Sequence, residues 1–225
     1  MEKPIVIRQS QMLGRARTFV LGAALLLAVL IAGPARADTI RLVALGDSLT
    51  AGYLLDASEA FPAVLERELK KRGWNVSVAN AGVSGDTATA GAARVDWSVP
   101  DGTQGVIVEL GANDALRGLP PEETRKAIGQ ILDRLKERNI PVLLAGMYAP
   151  RSLGAAYHEK FDAIFPELAE EHGVALYPFF LDGVVGDAAF NLDDGMHPNA
   201  VGIEKIVANM LPAVETFLRS LETPS

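Results

Sequence analysis

Runs of apolar residues alternate with amphipathic stretches along the chain from residue 38 onward, and no linker, repeat or low-complexity segment separates them. The apolar runs predict five strands, at residues 40–45, 74–79, 105–110, 141–147 and 174–177. Apolar positions at helical spacing predict helices at residues 59–71, 121–138, 155–172 and 200–218, with a short one at 87–95. This alternation is typical of a parallel sheet covered by helices on both faces.

Two of the predicted strands are apolar at consecutive positions rather than at every second one. Residues 106–108 and 142–144 contain no polar side chain, as expected for parallel strands that are buried on both faces. Gly73 and Gly173 each follow a basic or polar last turn, which is typical of glycines that end helices. We therefore expect one α/β domain with a buried, mostly parallel sheet.

The first 37 residues have the organisation of an export signal. Three arginines precede an apolar stretch at residues 19–32, and the small-residue sequence Ala35-Arg36-Ala37 follows it. The apolar stretch is shorter than the ~20 residues that a membrane-spanning helix needs. We expect cleavage after Ala37, which would leave residues 38–225 as an exported, periplasmic or secreted domain with no stable membrane insertion. The alternative is that the segment is not cleaved and anchors the protein in the membrane, because the part before the apolar stretch is unusually long for a cleaved signal.

The charge balance of residues 38–225 limits the possible partners. This part of the chain contains 16 Lys and Arg against 27 Asp and Glu, a formal charge of −11. Nucleic acids and anionic membranes favour basic surfaces, so both are excluded as expected partners. The chain also contains no cysteine, which excludes a thiol nucleophile, a thiolate metal site and disulfides.

The candidate nucleophile follows the first predicted strand. Residues 45–53 read Leu-Gly-Asp-Ser-Leu-Thr-Ala-Gly-Tyr, in which an apolar run meets glycine and small polar residues. A tight turn at this point would lift Ser48 to the carboxyl edge of the sheet, where open α/β folds bind their ligands. The alternative is that Asp47 or Ser48 only caps the next helix.

Three further motifs lie beside predicted elements: residues 80–87 after the second strand, residues 111–114 after the third, and residues 193–199 before the last helix. Glycines in the first motif allow backbone N–H groups to approach a ligand. Asn113 in the second can direct a side-chain amide toward the same sheet edge. Taken singly, the first two are ordinary turns or caps, and the third is a helix start with a surface histidine.

Together these segments provide the groups that acyl transfer through serine requires: a hydroxyl nucleophile, a base, a group that orients the base and donors for an oxyanion. The chain has three histidines as candidates for the base. His158 and His172 fall within or at the end of a predicted helix, and we interpret both as structural. His197 follows Asp194 by three residues, so one turn can carry both side chains and leave a ring nitrogen facing Ser48.

These residues occur in the order and spacing of the GDSL or SGNH hydrolases, which the chain resembles from about residue 39 to residue 218. The motifs that carry the resemblance are Gly-Asp-Ser-Leu at Ser48, Ser-Gly-Asp-Thr at Gly85, Gly-Ala-Asn-Asp at Asn113 and Asp-Gly-Met-His-Pro at Asp194 and His197. Within the family the chain is similar to the exported thioesterase, lysophospholipase and arylesterase group. One departure is Ala112, where glycine is frequent in this group, and we expect it to alter local backbone freedom only.

The resemblance implies a flavodoxin-like three-layer α/β/α sandwich with a mostly parallel, five-stranded sheet. It also implies a catalytic triad of Ser48, His197 and Asp194. The oxyanion hole would comprise the Ser48 and Gly85 backbone N–H groups and the Asn113 amide. No metal and no cofactor are implied. Asp47 and Asp114 are assigned to hydrogen bonds within their turns.

The expected function is hydrolysis of carboxylic esters and acyl thioesters, such as aryl esters, acyl-CoA or lysophospholipids. The resembling enzymes suggest that the apolar residues Leu116 and Leu119 line an acyl groove, although the segment can also be a plain connection to the next helix. Two other functions remain open: deacetylation of carbohydrate or cell-wall polymer by the same fold, and lipid binding without turnover. A monomer is favoured, and no nucleotide-binding glycine pattern occurs.

Overall fold

The structure, a computed structural model, describes residues 39–222. Its sheet has five strands: β1 (Ile40–Gly46), β2 (Val76–Gly82), β3 (Gly105–Glu109), β4 (Val142–Ala145) and β5 (Ala175–Tyr177). Every neighbouring pair is parallel, and the strand order is β2-β1-β3-β4-β5. All five predicted strands are therefore present, and the fold class expected from the sequence is confirmed.

Helices lie between the strands: α1 (Ser48–Ala51), α2 (Phe61–Lys71), α3 (Ala88–Ser98), α4 (Ala112–Leu116), α5 (Pro121–Glu137), α6 (Ala155–Asp162), α7 (Ile164–His172) and α8 (Ala200–Glu222). The helices α2 and α8 pack against each other, and so do α3 with α5 and α5 with α7. The short helices α1 and α4 were not predicted. They directly follow strands β1 and β3, and they carry Ser48 and Asn113.

The prediction of a single helix at residues 155–172 was wrong. The chain forms α6 and α7 instead, with a break at Ala163. Pro166 lies near the start of α7, and proline lacks the N–H that would bond back to the preceding turn. The hydrophobic pattern continues across the break, because Phe161, Ile164 and Phe165 are all buried in the core.

The strand order explains where the polar motifs converge. Strands β2 and β3 lie on opposite sides of β1. The direction in which strands are added to the sheet therefore reverses, and the reversal lies between β1 and β3. Ligands of doubly wound sheets bind outside the carboxyl ends of the strands at such a reversal. Ser48 follows β1 and Asn113 follows β3, which brings both residues to this crevice. Strands β3 and β4 are fully buried, and Val106, Ile107 and Val108 in β3 have no exposed surface.

The predicted export signal and its cleavage site at Ala37 lie outside the described residues. Within residues 39–222, no helix is both long and apolar enough to cross a membrane.

Candidate active site

Ser48 is the first residue of the four-residue helix α1, immediately after β1 and Asp47. The Asp47 carboxylate caps this helix by accepting a hydrogen bond from the Leu49 N–H at 3.0 Å. Gly46 makes the tight turn possible, because a Cβ at that position would lie 2.1 Å from Thr50 Oγ1 and 2.6 Å from the Glu109 carbonyl oxygen. The side chain of Ser48 is thus fixed by the turn.

His197 and Asp194 lie on one turn that ends beside Ser48. The Nε2 atom of His197 is 3.0 Å from Ser48 Oγ, and its Nδ1 atom is 2.6 Å from Asp194 Oδ2. The backbone of the turn is closed by a 2.8 Å hydrogen bond from the Leu192 N–H to the His197 carbonyl oxygen. The three side chains that the sequence singled out therefore form one hydrogen-bonded chain.

The Asp194 carboxylate is held in its charged form by its own turn. Its Oδ1 accepts hydrogen bonds from the His197 N–H at 3.0 Å and the Met196 N–H at 2.9 Å. These backbone donors, together with the His197 ring, lower the pKa of Asp194 to about 2. The oxygen that faces the imidazole is therefore an acceptor throughout the neutral range, which fixes the Nδ1–H tautomer and leaves Nε2 free to accept a proton.

Asn113, at the start of α4, donates a hydrogen bond from Nδ2 to Asp47 Oδ2 at 3.0 Å. This bond was not predicted, since we had assigned Asp47 only to bonds within its own turn. An amide nitrogen carries two protons, so one remains for a ligand beside Ser48.

Gly85 lies in the turn after β2 with a left-handed φ of 88°, which glycine adopts without strain. Its carbonyl oxygen accepts a 2.7 Å hydrogen bond from Arg117 Nη2. Among residues 39–222, neither the Gly85 nor the Ser48 backbone N–H has a hydrogen-bond partner. Two unpaired N–H groups on these turns are suitable donors for an oxyanion.

The buried guanidinium of Arg94 connects the nucleophile turn with the glycine turn. Its Nη2 donates to the Gly46 carbonyl oxygen at 2.8 Å and its Nη1 to the Ala81 carbonyl oxygen at 2.8 Å. Its Nε donates to the Asp86 carboxylate, the residue after Gly85, at 2.6 Å. The planar fork of arginine suits such a three-way junction, and lysine could not reproduce it.

Two buried carboxyl groups lie directly beneath Ser48. Burial raises the pKa of Asp47 to about 6, although its hydrogen bonds from Leu49 and Asn113 act in the opposite direction. Burial and the neighbouring Asp47 charge raise the pKa of Glu109 well above its usual value. Glu109 Oε2 accepts a 2.8 Å hydrogen bond from the Thr50 hydroxyl, and its Oε1 atom is buried with no partner among the described residues.

A cavity of about 650 Å³ opens at Ser48, Asn113 and His197. Its remaining wall is mostly apolar and is formed by Leu49, Ala112, Ala115, Leu116, Met147, Tyr148, Ala149, Pro150, Arg151, Phe179, Leu181, Val185, Gly195 and Met196. Leu116 therefore lies where an acyl groove was expected. Leu119 is not part of this wall, and its carbonyl oxygen accepts a hydrogen bond from the Tyr157 hydroxyl at 2.7 Å.

The other two histidines lie elsewhere. His158 Nδ1 is 2.8 Å from Arg151 Nη1, and His172 Nδ1 is 3.6 Å from Asp133 Oδ1. Sequence reasoning also missed one neighbour of His197, because Tyr53 packs its ring 4.4 Å from the imidazole centroid. Within residues 39–222, no group of three acidic or histidine side chains could hold a metal ion.

A parallel α/β sheet that carries a hydrogen-bonded serine, histidine and aspartate at its carboxyl edge defines a serine hydrolase. The chain belongs to the GDSL-like lipase/acylhydrolase family, whose sequence model matches residues 44–205. This finding confirms the resemblance drawn from the four motifs.

The relatives of the chain are esterases and thioesterases. The Escherichia coli K12 protein named thioesterase 1/protease 1/lysophospholipase L1 is 43% identical over 176 residues, which cover 78% of this chain and 82% of that protein. The arylesterase of Vibrio mimicus is 38% identical over 162 residues, covering 70% of this chain and 80% of its own length. The crystal structure of AlinE4, an SGNH-hydrolase family esterase, is 45% identical with a TM-score of 0.69 and covers 82% of this chain and 99% of that one. The chain is thus an enzyme of the esterase class.

Proposed function

We propose that Ser48, His197 and Asp194 hydrolyse acyl esters and acyl thioesters through an acyl-serine intermediate. The observation that carries this proposal is the continuous chain from Ser48 Oγ through both ring nitrogens of His197 to the Asp194 carboxylate, at 3.0 and 2.6 Å. Such contacts are within the range for proton transfer between a nucleophile, its base and the group that orients the base.

In the first step, the Ser48 hydroxyl attacks the carbonyl carbon of the substrate while His197 Nε2 takes its proton. The negative charge that develops on the carbonyl oxygen is stabilised by the N–H groups of Ser48 and Gly85 and by the second amide proton of Asn113. The Asp194 carboxylate stabilises the imidazolium that forms at the same time.

In the second step, the imidazolium protonates the leaving alcohol or thiol as the tetrahedral intermediate collapses. The acyl group stays on Ser48 Oγ, and the leaving group departs. Water then replaces it, and His197 Nε2 takes a proton from this water as it attacks the acyl-serine. The carboxylic acid is released and Ser48 regains its proton.

The substrate class follows from the apolar wall of the cavity. Met147 and Leu181 are buried in it, and Tyr148 stacks on Phe179 at a centroid distance of 4.6 Å. Burial of a hydrocarbon chain contributes about 0.8 kcal/mol for each methylene group, so such a wall favours substrates with an extended acyl chain or an aryl group. The names of the relatives agree with this class, and the small polar acetyl esters of carbohydrates fit the wall less well.

The catalytic assignment is tested by labelling with a fluorophosphonate. We expect stoichiometric modification of Ser48, and we expect His197→Ala to suppress both labelling and ester turnover. His158→Ala is the matched control and should leave both nearly intact. Rapid modification of another serine, or full labelling of the His197→Ala variant, would overturn the assignment.

We also propose that the protein is exported and cleaved after Ala37. The arginines, the short apolar stretch at residues 19–32 and the Ala-Arg-Ala site support this proposal. N-terminal sequencing of the protein from its native host should begin at Asp38. Intact protein in the membrane fraction would contradict it.

A further inference from the structure

The aromatic ring of Tyr53 covers the imidazole of His197. The two ring centroids are 4.4 Å apart with an interplanar angle of 37°, well within the range of favourable ring contacts. We infer that Tyr53 is a positioning residue for the catalytic base, and that its π face stabilises the imidazolium that forms during turnover. This inference rests on the proposed role of His197.

The backbone ties Tyr53 to the nucleophile. The Tyr53 N–H donates to the Ser48 carbonyl oxygen at 3.2 Å, so the ring is carried by the turn that ends α1. Gly52 makes this turn with a left-handed φ of 80°, and a Cβ there would lie 2.6 Å from the Ala60 Cβ. One short segment therefore presents the nucleophile at its start and the ring that covers the base at its end.

Core packing and hydrogen bonding do not explain the position of the Tyr53 ring. The residue is 39% exposed and does not belong to the hydrophobic core, so it contributes little to folding. Its hydroxyl has no hydrogen-bond partner among residues 39–222. Tyr53 is also not one of the described residues that line the cavity at Ser48. The contact with His197 therefore explains the position of the ring best.

The physical effect concerns the charged form of histidine. An aromatic face carries partial negative charge and attracts a cation that packs against it. His197 is neutral when substrate binds and cationic when Ser48 attacks, so the attraction is stronger in the transition state than in the ground state. Such an interaction raises kcat and leaves KM unchanged.

Two substitutions of Tyr53 distinguish the effect of its π face from the effects of its hydroxyl and of its bulk, and a third variant is the control. Tyr53→Phe keeps the ring and should retain nearly full activity. Tyr53→Leu keeps apolar bulk without a π face, and its kcat for a chromogenic aryl ester should fall about 2- to 30-fold, the range expected for a cation–π contact. Leu54→Ala is the matched control, because Leu54 is the next residue and is 76% exposed. It should have wild-type kinetics.

The pH profile provides a readout that a purely structural role would not change. The charged groups that face His197 are Asp194 and Asp47, and both stay in place in these variants. Without the π face the imidazolium is less stable, so the acid limb of the kcat/KM profile of Tyr53→Leu should move to lower pH. In Tyr53→Phe the limb should not move.

The inference is overturned if Tyr53→Leu keeps wild-type kcat, if its loss is confined to KM, or if Tyr53→Phe loses as much as Tyr53→Leu. His197→Ala distinguishes this failure from that of the proposed function. If His197→Ala is inactive while Tyr53→Leu is normal, only the role of Tyr53 is wrong. If His197→Ala is active, the assignment of the base itself fails.

Discussion

Asn113 has two tasks that one amide group can perform together. One amide proton is donated to the buried Asp47 carboxylate, which fixes the orientation of the side chain. Asn113 also lines the crevice together with Ser48 and His197, so its second amide proton is available to a ligand there. The charge on Asp47 strengthens this hydrogen bond, because bonds to ionised acceptors are roughly twice as strong as neutral ones. Asp47 therefore orders both Asn113, the proposed oxyanion donor, and the turn that carries Ser48.

Replacing Asn113 with alanine should remove one oxyanion donor. Losses of this kind typically lower kcat by about 100- to 1,000-fold, and we expect a decrease in that range in steady-state ester hydrolysis. The melting temperature should fall modestly, because the buried Asp47 carboxylate loses one of its hydrogen bonds, so the activity is compared per folded enzyme. A variant that keeps more than about a third of wild-type activity would show that Asn113 does not hold this role.

Asp194→Asn should reduce turnover without displacing Ser48. The amide keeps the shape of the carboxylate but loses the charge that stabilises the imidazolium, and triads of this kind lose up to ~10,000-fold in that way. The kcat should therefore lie between those of the wild type and His197→Ala. Because the pKa of Asp194 is about 2, its carboxylate stays ionised between pH 5 and pH 7. Steady-state hydrolysis of an aryl ester at pH 7 compares the three enzymes.

At the scale of elements, the sequence predicts the strands well and the short active-site helices poorly. The central strands are identified by continuous apolar residues such as Val106 to Val108, which need no knowledge of the tertiary structure. Strand β2 extends to Gly82, past the predicted end at residue 79, because its polar carboxyl end pairs with β1 through Ala44 and Asn80. That pairing cannot be deduced from hydrophobicity.

The residues proposed to be catalytic could be placed together from the sequence for a related reason, and the cavity wall could not. Ser48, Asn113 and His197 belong to small-residue motifs that directly follow strands or precede a helix, and their chemistry is specific. Tyr148 and Phe179 lie in the connections after β4 and β5, and only the strand order brings these connections to the same edge. Residues that follow parallel strands share one edge of the sheet. By this rule Tyr148 and Phe179 could have been named as candidates for the cavity wall.

Glycine substitutions test the turn between β1 and α1. Gly46→Ala should strongly lower both the melting temperature and the yield of active enzyme, because the new Cβ would overlap Thr50 Oγ1 and the Glu109 backbone. Thermal denaturation and active-site labelling measure the two effects.

Gly129→Ala is the opposite case. Gly129 lies inside α5, and a Cβ there would have only Leu168 Cδ2 nearby, at 3.8 Å. Alanine in a helix interior is favoured over glycine by about 0.5–1 kcal/mol, so this variant should be more stable with unchanged activity. A destabilised Gly129→Ala variant would contradict the helical environment described for α5.

At the scale of the whole molecule, the active site reduces the stability of the fold at neutral pH. Asp47 has its pKa raised to about 6, and the pKa of Glu109 is raised well above its usual value. In the unfolded chain both groups ionise near their ordinary values of 3.8 and 4.5. The folded protein therefore binds more protons than the unfolded chain above about pH 4, and its stability falls as the pH rises through this range.

The free energy of unfolding should accordingly decrease as the pH is raised from about 4 to about 6, the interval between the ordinary and the raised pKa of Asp47. For Asp47 alone, the difference between the ordinary and the raised pKa corresponds to about 3 kcal/mol. Asp194 acts in the opposite direction but in another range, because its lowered pKa contributes stability that is lost only below about pH 4. Urea denaturation at a series of pH values measures the balance.

Glu109→Gln isolates the contribution of the buried pair. The amide resembles the protonated carboxyl in shape, carries no charge and removes the repulsion from Asp47 that helps to raise the pKa of Glu109. The variant should therefore be more stable than the wild type at pH 7, and this advantage should shrink toward pH 5 as Glu109 of the unfolded wild-type chain becomes protonated. Glu204→Gln, at a side chain that is 67% exposed, is the control and should follow the wild-type curve. Parallel curves for Glu109→Gln and the wild type between pH 5 and pH 8 would mean that folding does not raise the pKa of Glu109.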